Sequence, residues 1–180
     1  FHPGQRQAIL NSIVAHEVLA TPTLRALYQQ AAPDALLAGK TLAEVAQDKH
    51  AHPKYCLKMA TGTGKTWVLQ ALLVWQLLNA NAARAAATVD PRFTRNFLIV
   101  APGLIVYDRL LDAFCGKLQA GQRDFLTSDV ARYAELFLPE GLRETVFGFV
   151  RCNVCAKEEI ALKTTGNGLL AITNWHLLSE

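Results

Sequence analysis

Residues 55–67 read Tyr-Cys-Leu-Lys-Met-Ala-Thr-Gly-Thr-Gly-Lys-Thr-Trp, and this stretch decides the fold class. Residues 55–59 form a short, mostly apolar run, which predicts a strand. Residues 60–64 contain two glycines and predict a turn. From residue 65 to residue 79 the apolar residues recur at helical spacing, which predicts a helix. The stretch therefore predicts a strand, a glycine turn and a helix in direct succession.

The turn has the composition of a phosphate-binding loop, or P-loop. Gly62 and Gly64 allow backbone conformations and a close approach that a Cβ atom would forbid. The N–H groups around them can point into one hollow, where they and the positive end of the helix attract phosphate oxygens. Lys65 adds a full positive charge for the β- and γ-phosphates, and Thr66 offers a hydroxyl to Mg²⁺. The catalytic positions are then Lys65 and Thr66, and the residues predicted to hold a nucleoside triphosphate and its Mg²⁺ are Ala60, Thr61, Gly62, Thr63, Gly64, Lys65 and Thr66.

The composition indicates a folded, helix-rich protein. Hydrophobic residues make up 51% of the 180 residues and charged residues 18%, which excludes an intrinsically disordered chain. No apolar run reaches the roughly 18 residues that a membrane span needs, and no secretory signal is visible at the start. We therefore expect a soluble, cytoplasmic protein with no membrane partner. The net charge of +3 permits a polyanionic partner without requiring one.

Two further apolar runs predict other strands of a sheet. Residues 97–101 are continuously apolar and end at Pro102-Gly103, and residues 168–173 form a similar run. Residues 105–114 predict the helix that follows the first of these strands. Strands that alternate with helices favour an α/β fold, a parallel sheet with helices on both faces. Ligands of such sheets bind at the carboxyl ends of the strands.

Helical patterns dominate the first third of the chain. Apolar spacing predicts a helix over residues 8–19. Residues 21–53 predict a helical insertion, which Pro33 and Gly39 break into short pieces. Weaker patterns predict a loop over residues 81–95, a short strand over 124–127, a helix from Ser128 or Asp129 to Phe137, and a strand over 145–150.

The sequence from Met59 to Thr66 resembles motif I of the superfamily 2 helicases and translocases, whose first position is often Ala, Gly or Met. Residues 1–9 resemble the N-terminal element of that superfamily, in which a glutamine reads the adenine edge, and Gln5 takes the place of that glutamine. The resemblance therefore implies ATP as the nucleotide, because a Gln amide can donate to adenine and accept from it at once. The superfamily often has an aromatic residue where this chain has Gly4.

Two later segments resemble DNA-contacting motifs of the same superfamily, in the same order. Residues 97–103 resemble motif Ia, which touches the DNA backbone, and residues 170–178 resemble the motif Ib region. Both runs are equally well explained as core strands, so DNA contact and core packing stay open as alternatives. The residues that the resemblance places against DNA are Pro102, Gly103, Thr173 and Asn174.

Within the superfamily, residues 58–68 and 172–178 look most like the Res subunit of type III restriction enzymes. The resemblance implies a P-loop NTPase of RecA-like fold, with residues 1–180 as the N-terminal part of the first RecA-like domain, incomplete at its C-terminal end. It implies a motor that uses ATP and Mg²⁺ to move on double-stranded DNA before cleavage, together with a modification (methyltransferase) subunit. The resemblance further implies that the second RecA-like domain and the nuclease domain of that family are absent from this chain.

The Asp-Glu box of the superfamily holds Mg²⁺ and polarises the attacking water, and this sequence has no pair of adjacent acids after a hydrophobic run. The resemblance places that box beyond Glu180. The single Met, Met59, is internal, which also favours a piece of a longer protein. We therefore expect the 180-residue chain to bind nucleotide weakly and to hydrolyse it little, and robust turnover in a steady-state ATPase assay would contradict this.

Three other functions remain open at this point. A superfamily 2 helicase without nuclease activity fits the same motifs. A P-loop kinase of a small molecule needs an arginine-bearing lid, which residues 21–48 do not suggest, and it leaves the segments that resemble motifs Ia and Ib unexplained. A non-catalytic module that uses the loop as an anion site predicts that Lys65→Ala leaves nucleotide affinity unchanged.

Two minor patterns invite a functional interpretation. Cys152 and Cys155 have metal-ligand spacing, but a structural zinc site needs four ligands, so we expect reduced, unliganded thiols. Arg84, Arg92 and Arg95 lie in the predicted loop, where they form either an electrostatic contact for DNA or a solvated basic surface.

Overall fold

In a computed structural model, which describes residues 1–155, 159 and 166–178, the chain divides into two units, Phe1–Val68 and Leu69–Glu180. Helix α5 (Lys65–Ala85) begins in the first unit and continues in the second. Within the described residues, no helix combines the length and apolarity that crossing a membrane requires.

The first unit is built from short helices. They are α1 (Pro3–Ile13) with a π-helical turn (Val14–Val18), α2 (Leu24–Ala31), α3 (Pro33–Leu37), α4 (Thr41–Val45) and a 3₁₀ turn (Asp48–His50). Thr23 caps α2 by accepting a hydrogen bond from the Ala26 N–H, and Pro33 is the first residue of α3, where its missing N–H costs nothing. The predicted helix over 8–19 is confirmed as an element, although it begins earlier, at Pro3, and the broken helical pattern after it is confirmed as well.

The predicted strand over residues 55–59 is not formed among the described residues. Its burial still alternates, since Tyr55, Leu57 and Met59 are half-buried while Cys56 and Lys58 are exposed. A strand exists only as part of a ladder with a partner, and the structure describes no strand paired with this segment. The strand predicted over residues 55–59 is therefore wrong, although three of its five side chains are half-buried.

The second unit alternates strands and helices. In chain order it contains the rest of α5, then β1 (Asn96–Ala101), α6 (Leu104–Cys115), β2 (Lys117–Gln119), β3 (Gln122–Asp124), α7 (Asp129–Arg132), α8 (Arg143–Asn153), β4 (Val154–Cys155), β5 (Leu169–Asn174) and α9 (Trp175–Leu178). 3₁₀ turns lie at Phe125–Thr127, Ala134–Leu136 and Glu140–Leu142.

The main sheet is parallel, in the order β1-β5-β4. The register pairs Asn96 with Leu169 at one end and Ala101 with Asn174 at the other, so β1 and β5 end at the same edge. All six residues of the central strand β5 are buried, as expected for a strand with neighbours on both sides. The two predicted strands and the parallel α/β class are confirmed.

The core of the second unit joins this sheet to α5, α6 and α8. Its most buried side chains include Leu77 of α5, Phe114 of α6, Val146 of α8 and both Leu170 and Ile172 of β5. Burial of side chains of this size contributes about 1.5–3 kcal/mol each before conformational entropy is counted. The sheet and its helices are therefore held mainly by apolar packing.

Four weaker predictions about the second unit need correction. The loop predicted from residue 81 begins later, because α5 continues to Ala85 through an alanine-rich segment with high helix propensity. The strand predicted over 145–150 is part of α8, whose buried residues Val146, Phe149, Val150 and Asn153 have helical spacing. The strand predicted over 124–127 is a 3₁₀ turn after β3, which pairs antiparallel with β2 in a hairpin that the sequence did not reveal.

The fourth correction concerns the helix predicted from Ser128 to Phe137. Ser128 does cap a helix, since its Oγ accepts from the Ala131 N–H at 3.2 Å. The helix ends at Arg132 and is followed by the 3₁₀ turn Ala134–Leu136. The start of the element was predicted correctly and its length was not.

Candidate nucleotide-binding site

The glycine turn of the first unit folds as a closed loop before α5. Gly62 has φ +80° and Gly64 has φ +76°, a left-handed conformation that side chains with a Cβ rarely adopt. Thr63 lies between them and bonds back to the Ala60 carbonyl through both its hydroxyl (2.7 Å) and its N–H (3.4 Å). The two glycines and this local bonding turn the chain directly into the helix that begins at Lys65.

Lys65 is exposed and its charge is not neutralised. Its Nζ donates to the carbonyls of Ala60 (2.9 Å) and Met59 (3.2 Å), both uncharged main-chain groups. None of the ion pairs in the described part of the chain includes Lys65. A phosphate oxygen would make a stronger, charge-assisted bond to the ammonium group than either carbonyl does. The side chain is therefore held over the loop and can exchange its partners for an anion.

The start of α5 presents N–H groups that the helix itself cannot use. The first intrahelical bonds are those from Trp67 (3.0 Å) and Val68 (3.4 Å) to the Gly64 carbonyl. The N–H groups of Lys65 and Thr66 precede these bonds, and the first N–H groups of a helix have no intrahelical acceptor. Together with the dipole of a 21-residue helix, they favour a negatively charged ligand at this end.

Gln5 of α1 is bonded to the same loop. It is only 6% exposed. Its Nε2 donates to the carbonyl of Thr63 (2.9 Å) and, at 3.5 Å, to that of Gly64. Its Oε1 accepts from the His2 N–H at 2.8 Å, which ties the side chain to the start of its own helix. The structure therefore brings Gln5 and the P-loop together, although 58 residues separate Gln5 from Thr63.

A pocket of about 480 Å³ opens beside these groups, within the range of small-molecule sites. It is lined by His2, Gly4, Gln5, Lys58, Met59, Ala60, Gly62 and Thr63. His2 and Lys58 were not predicted to belong to the site. Only their nearness in sequence to Gln5 and to the loop pointed to them.

The loop fits a triphosphate on its own geometry. A Cβ built on Gly62 has no heavy atom within 4 Å, so the space over this glycine is open. The positive end of α5 and the unneutralised Lys65 meet at the same place. Thr66, the second residue of α5, is the hydroxyl that would hold the Mg²⁺ accompanying the phosphates.

The residues predicted to contact DNA lie in the second unit, at the carboxyl edge of the sheet. Pro102 and Gly103 follow β1, and Thr173 and Asn174 end β5 opposite Val100 and Ala101. Pro102 is exposed, whereas Thr173 and Asn174 are each only 1% exposed.

The residue that follows this pair is a large side chain that is exposed. Trp175 is 63% exposed, and its aromatic ring was not singled out from the sequence. The DNA contacts therefore stay a prediction, with Pro102 and Gly103 better placed for them than the buried pair.

Two of the three arginines singled out from the sequence have hydrogen-bonding partners close by. Arg84 belongs to α5 and donates to the Gly166 carbonyl (3.1 Å), and Arg92 pairs with Asp90 (2.7 Å). Burial, and secondarily the charge of Arg84, lowers the pKa of Arg95 from its ordinary value.

Cys152 is exposed, whereas Cys155 is 1% exposed in β4. Among the residues that the structure describes, no three His, Cys, Asp or Glu side chains form a group that could hold a metal ion.

A parallel sheet packed with helices, together with a glycine loop that leads into a long helix, defines the class of P-loop NTPases with a RecA-like α/β fold. Within that class, the chain belongs to the family described as type III restriction enzyme, res subunit, whose model matches residues 3–140. The matched range contains Gln5, the P-loop and Pro102-Gly103, and it ends before Thr173 and Asn174. Comparison with curated proteins and with solved structures gives no match.

The family gives the chain a superfamily 2, helicase-like ATPase domain, and the resemblance noted in the sequence is confirmed at that level.

Proposed function

We propose that the chain binds ATP and Mg²⁺ through residues 60–66 and forms the nucleotide-binding part of a motor that moves on double-stranded DNA in a type III restriction enzyme. The observation that carries the proposal is the loop itself, with two left-handed glycines and a lysine whose partners are uncharged carbonyls. The family supports a helicase-like ATPase. Residues 1–180 then form the N-terminal part of a first RecA-like domain, with residues 21–53 as a helical insertion.

The residues of the loop divide the work of binding. Main-chain N–H groups at the start of α5 receive phosphate oxygens, and Lys65 moves from the two carbonyls to the β- and γ-phosphates. Thr66 holds the metal through its hydroxyl. Mg²⁺, when bound, neutralises part of the phosphate charge and orients the β- and γ-phosphates.

DNA and a modification methyltransferase are the proposed partners, in the cytoplasm. The family supports these two partners in general, and the exposed Pro102 at the sheet edge supports a DNA contact in particular. No strand in the described ranges is followed directly by two adjacent acids, so we propose that this chain hydrolyses ATP poorly. DNA-stimulated hydrolysis in a longer protein that includes an Asp-Glu box would separate a motor from a small-molecule kinase.

Replacing the loop lysine tests the nucleotide site. Lys65→Ala removes a charge-assisted bond worth about 1.5–3 kcal/mol, so we expect ATP affinity to fall by about 10- to 100-fold in a calorimetric titration. Lys40→Ala makes the same charge change at an exposed lysine of the first unit that does not line the pocket, and it should leave the affinity unchanged. Equal affinity of Lys65→Ala and the wild type would contradict the proposal and favour a non-catalytic anion module.

A further inference from the structure

Three arginines lie around the segment that leads from α5 into β1, and their surroundings differ. Arg92 is neutralised, because its Nε donates to Oδ1 of Asp90 at 3.0 Å and its Nη2 donates to Oδ2 at 2.7 Å. A guanidinium binds a carboxylate best through two parallel bonds of this kind. None of the ion pairs in the described part of the chain includes Arg84 or Arg95. Within those residues, these two arginines are therefore cations without an acidic partner.

Arg95 is half-buried and comes directly before β1. Its carbonyl accepts from the Leu169 N–H at 2.9 Å, which places Arg95 at the amino edge of the sheet, where β5 begins. A Cβ built on Gly168 would lie 2.7 Å from the Cβ of Arg95, so the side chain starts against the residues that lead into β5. The Nε of Arg95 is buried, and no described residue gives it a hydrogen-bond partner. This guanidinium has lost water on one side without gaining an acceptor there.

Arg84 reaches the same residues from the last turn of α5. Its Nη1 donates to the Gly166 carbonyl at 3.1 Å, two residues before the glycine that lies against Arg95. Burial first, and then the positive charge of Arg84, lowers the pKa of Arg95 below its ordinary value. The two guanidinium groups are therefore close enough to repel each other, and one of them is poorly solvated. An anion bound to both would offset the repulsion and the lost hydration together.

We propose that Arg84 and Arg95 form a phosphate-binding site at the amino edge of the sheet. Phosphate suits the pair because its charge of about −1.5 to −2 near neutral pH matches two guanidinium groups. A carboxylate carries a single charge, which one arginine neutralises, as Asp90 and Arg92 show. The DNA backbone supplies two charges through two neighbouring phosphates, and a free phosphate supplies them alone. The site does not use the P-loop and does not depend on the proposed nucleotide site.

A titration that observes the arginine side chains tests the pair. The Nε–H resonances of Arg84 and Arg95 in a nitrogen-15 NMR spectrum should move and saturate as inorganic phosphate is added, whereas sodium chloride at the same ionic strength should leave them in place. Arg92 is the internal control, because Asp90 already occupies its guanidinium and its resonance should not move. The shifts should persist in Lys65→Ala, which weakens the P-loop as a second place for phosphate.

A short DNA duplex, added in place of inorganic phosphate, distinguishes the two sources. Movement of both resonances with the duplex supports the proposal and assigns the site to the DNA backbone. Movement with inorganic phosphate alone supports the proposal and assigns the site to a free phosphate. Resonances that stay in place with both ligands, or that respond equally to acetate, would overturn it.

Substitutions measure what each arginine contributes. Arg84→Gln and Arg95→Gln each remove a charge-assisted bond, so we expect the affinity for phosphate or duplex in the same titration to fall by about tenfold. Arg132→Gln makes the same charge change at an exposed arginine of α7 and should leave the affinity unchanged. Equal affinities of the three variants would show a solvated basic surface instead of a site. If Arg95→Gln does not fold, Arg84→Gln and the wild-type resonances decide the question.

Discussion

Residues 55–59 and strand β5 are both short apolar runs, yet only one of them is a strand. All six residues of β5 are buried between two neighbours, while the earlier run alternates between half-buried and exposed residues and pairs with no described strand. An apolar run therefore indicates burial, whereas a strand also requires a partner strand for its hydrogen bonds. It also separates two kinds of structure in this molecule, a sheet held by packed volume and a loop held by particular bonds.

Replacing a fully buried side chain of β5 should destabilise the protein more than any other substitution considered below. Ile172→Ala leaves a cavity under a side chain with 0% exposure and should lower the free energy of unfolding by about 2–5 kcal/mol. Leu57→Ala in the earlier run removes a half-buried side chain and should cost about 1 kcal/mol. Urea unfolding followed by circular dichroism measures both, and equal losses would show that residues 55–59 are packed as tightly as β5.

The sequence predicted the buried strands of the sheet and missed the exposed ones. Residues 169–174 and 96–101 were found because buried parallel strands are continuously apolar. The hairpin β2–β3 was missed because its strands have three residues each and are mostly exposed, and because its turn is Ala120-Gly121. Both turn residues have positive φ, and the sequences that usually mark such a turn carry Asn or Asp where this chain has Ala120.

The residues of the phosphate-binding loop could be predicted from the sequence, but the bonds that hold the loop could not. Gly62, Gly64 and Lys65 could be assigned because the chemistry of phosphate binding fixes both the residue types and their spacing. The bonds from Gln5 to Thr63 and Gly64 could not be derived in that way, since they join residues far apart in the chain. Local pattern therefore identifies the loop, and only the tertiary structure shows what holds it in shape.

The two glycines of the P-loop should respond differently to replacement by alanine. Gly62→Ala places a Cβ in open space and should cost only the strain of a left-handed residue, about 1–2 kcal/mol. Gly64→Ala has the same strain and also displaces the amide end of Gln5, which gives up its bond to the Thr63 carbonyl and should add about 0.5–1.5 kcal/mol of unfolding free energy. Urea unfolding of the two variants gives the difference directly.

A double variant assigns that extra cost to its cause. If the collision with Gln5 is responsible, Gln5→Ala in the Gly64→Ala background should recover part of the loss, so that the two substitutions are not additive. Additive losses would mean that the contact between these two residues does not shape the loop.

The smallest effect concerns surface charge, which holds neither the sheet nor the loop. Hydrogen bonds from Lys49 (2.6 Å) and then from His50 (3.2 Å) lower the pKa of Glu44 from its ordinary 4.5 to about 2. Because the folded pKa lies below the unfolded one, the stabilisation is present above about pH 4.5 and is lost as the pH falls toward 2. Glu44 is fully exposed, so solvent and salt screen most of this effect.

A carboxyl titration by NMR checks the assignment of that pKa. Lys49→Ala should raise the pKa of Glu44 toward its ordinary value, because it removes the first of the two hydrogen bonds, whereas Lys58→Ala should leave it in place. A Glu44 pKa that stays low without Lys49 would assign the shift to His50 instead. In either case Lys49→Ala should change the free energy of unfolding at neutral pH far less than Ile172→Ala does. The reason is that water replaces most of the interaction of an exposed ion pair when the protein unfolds.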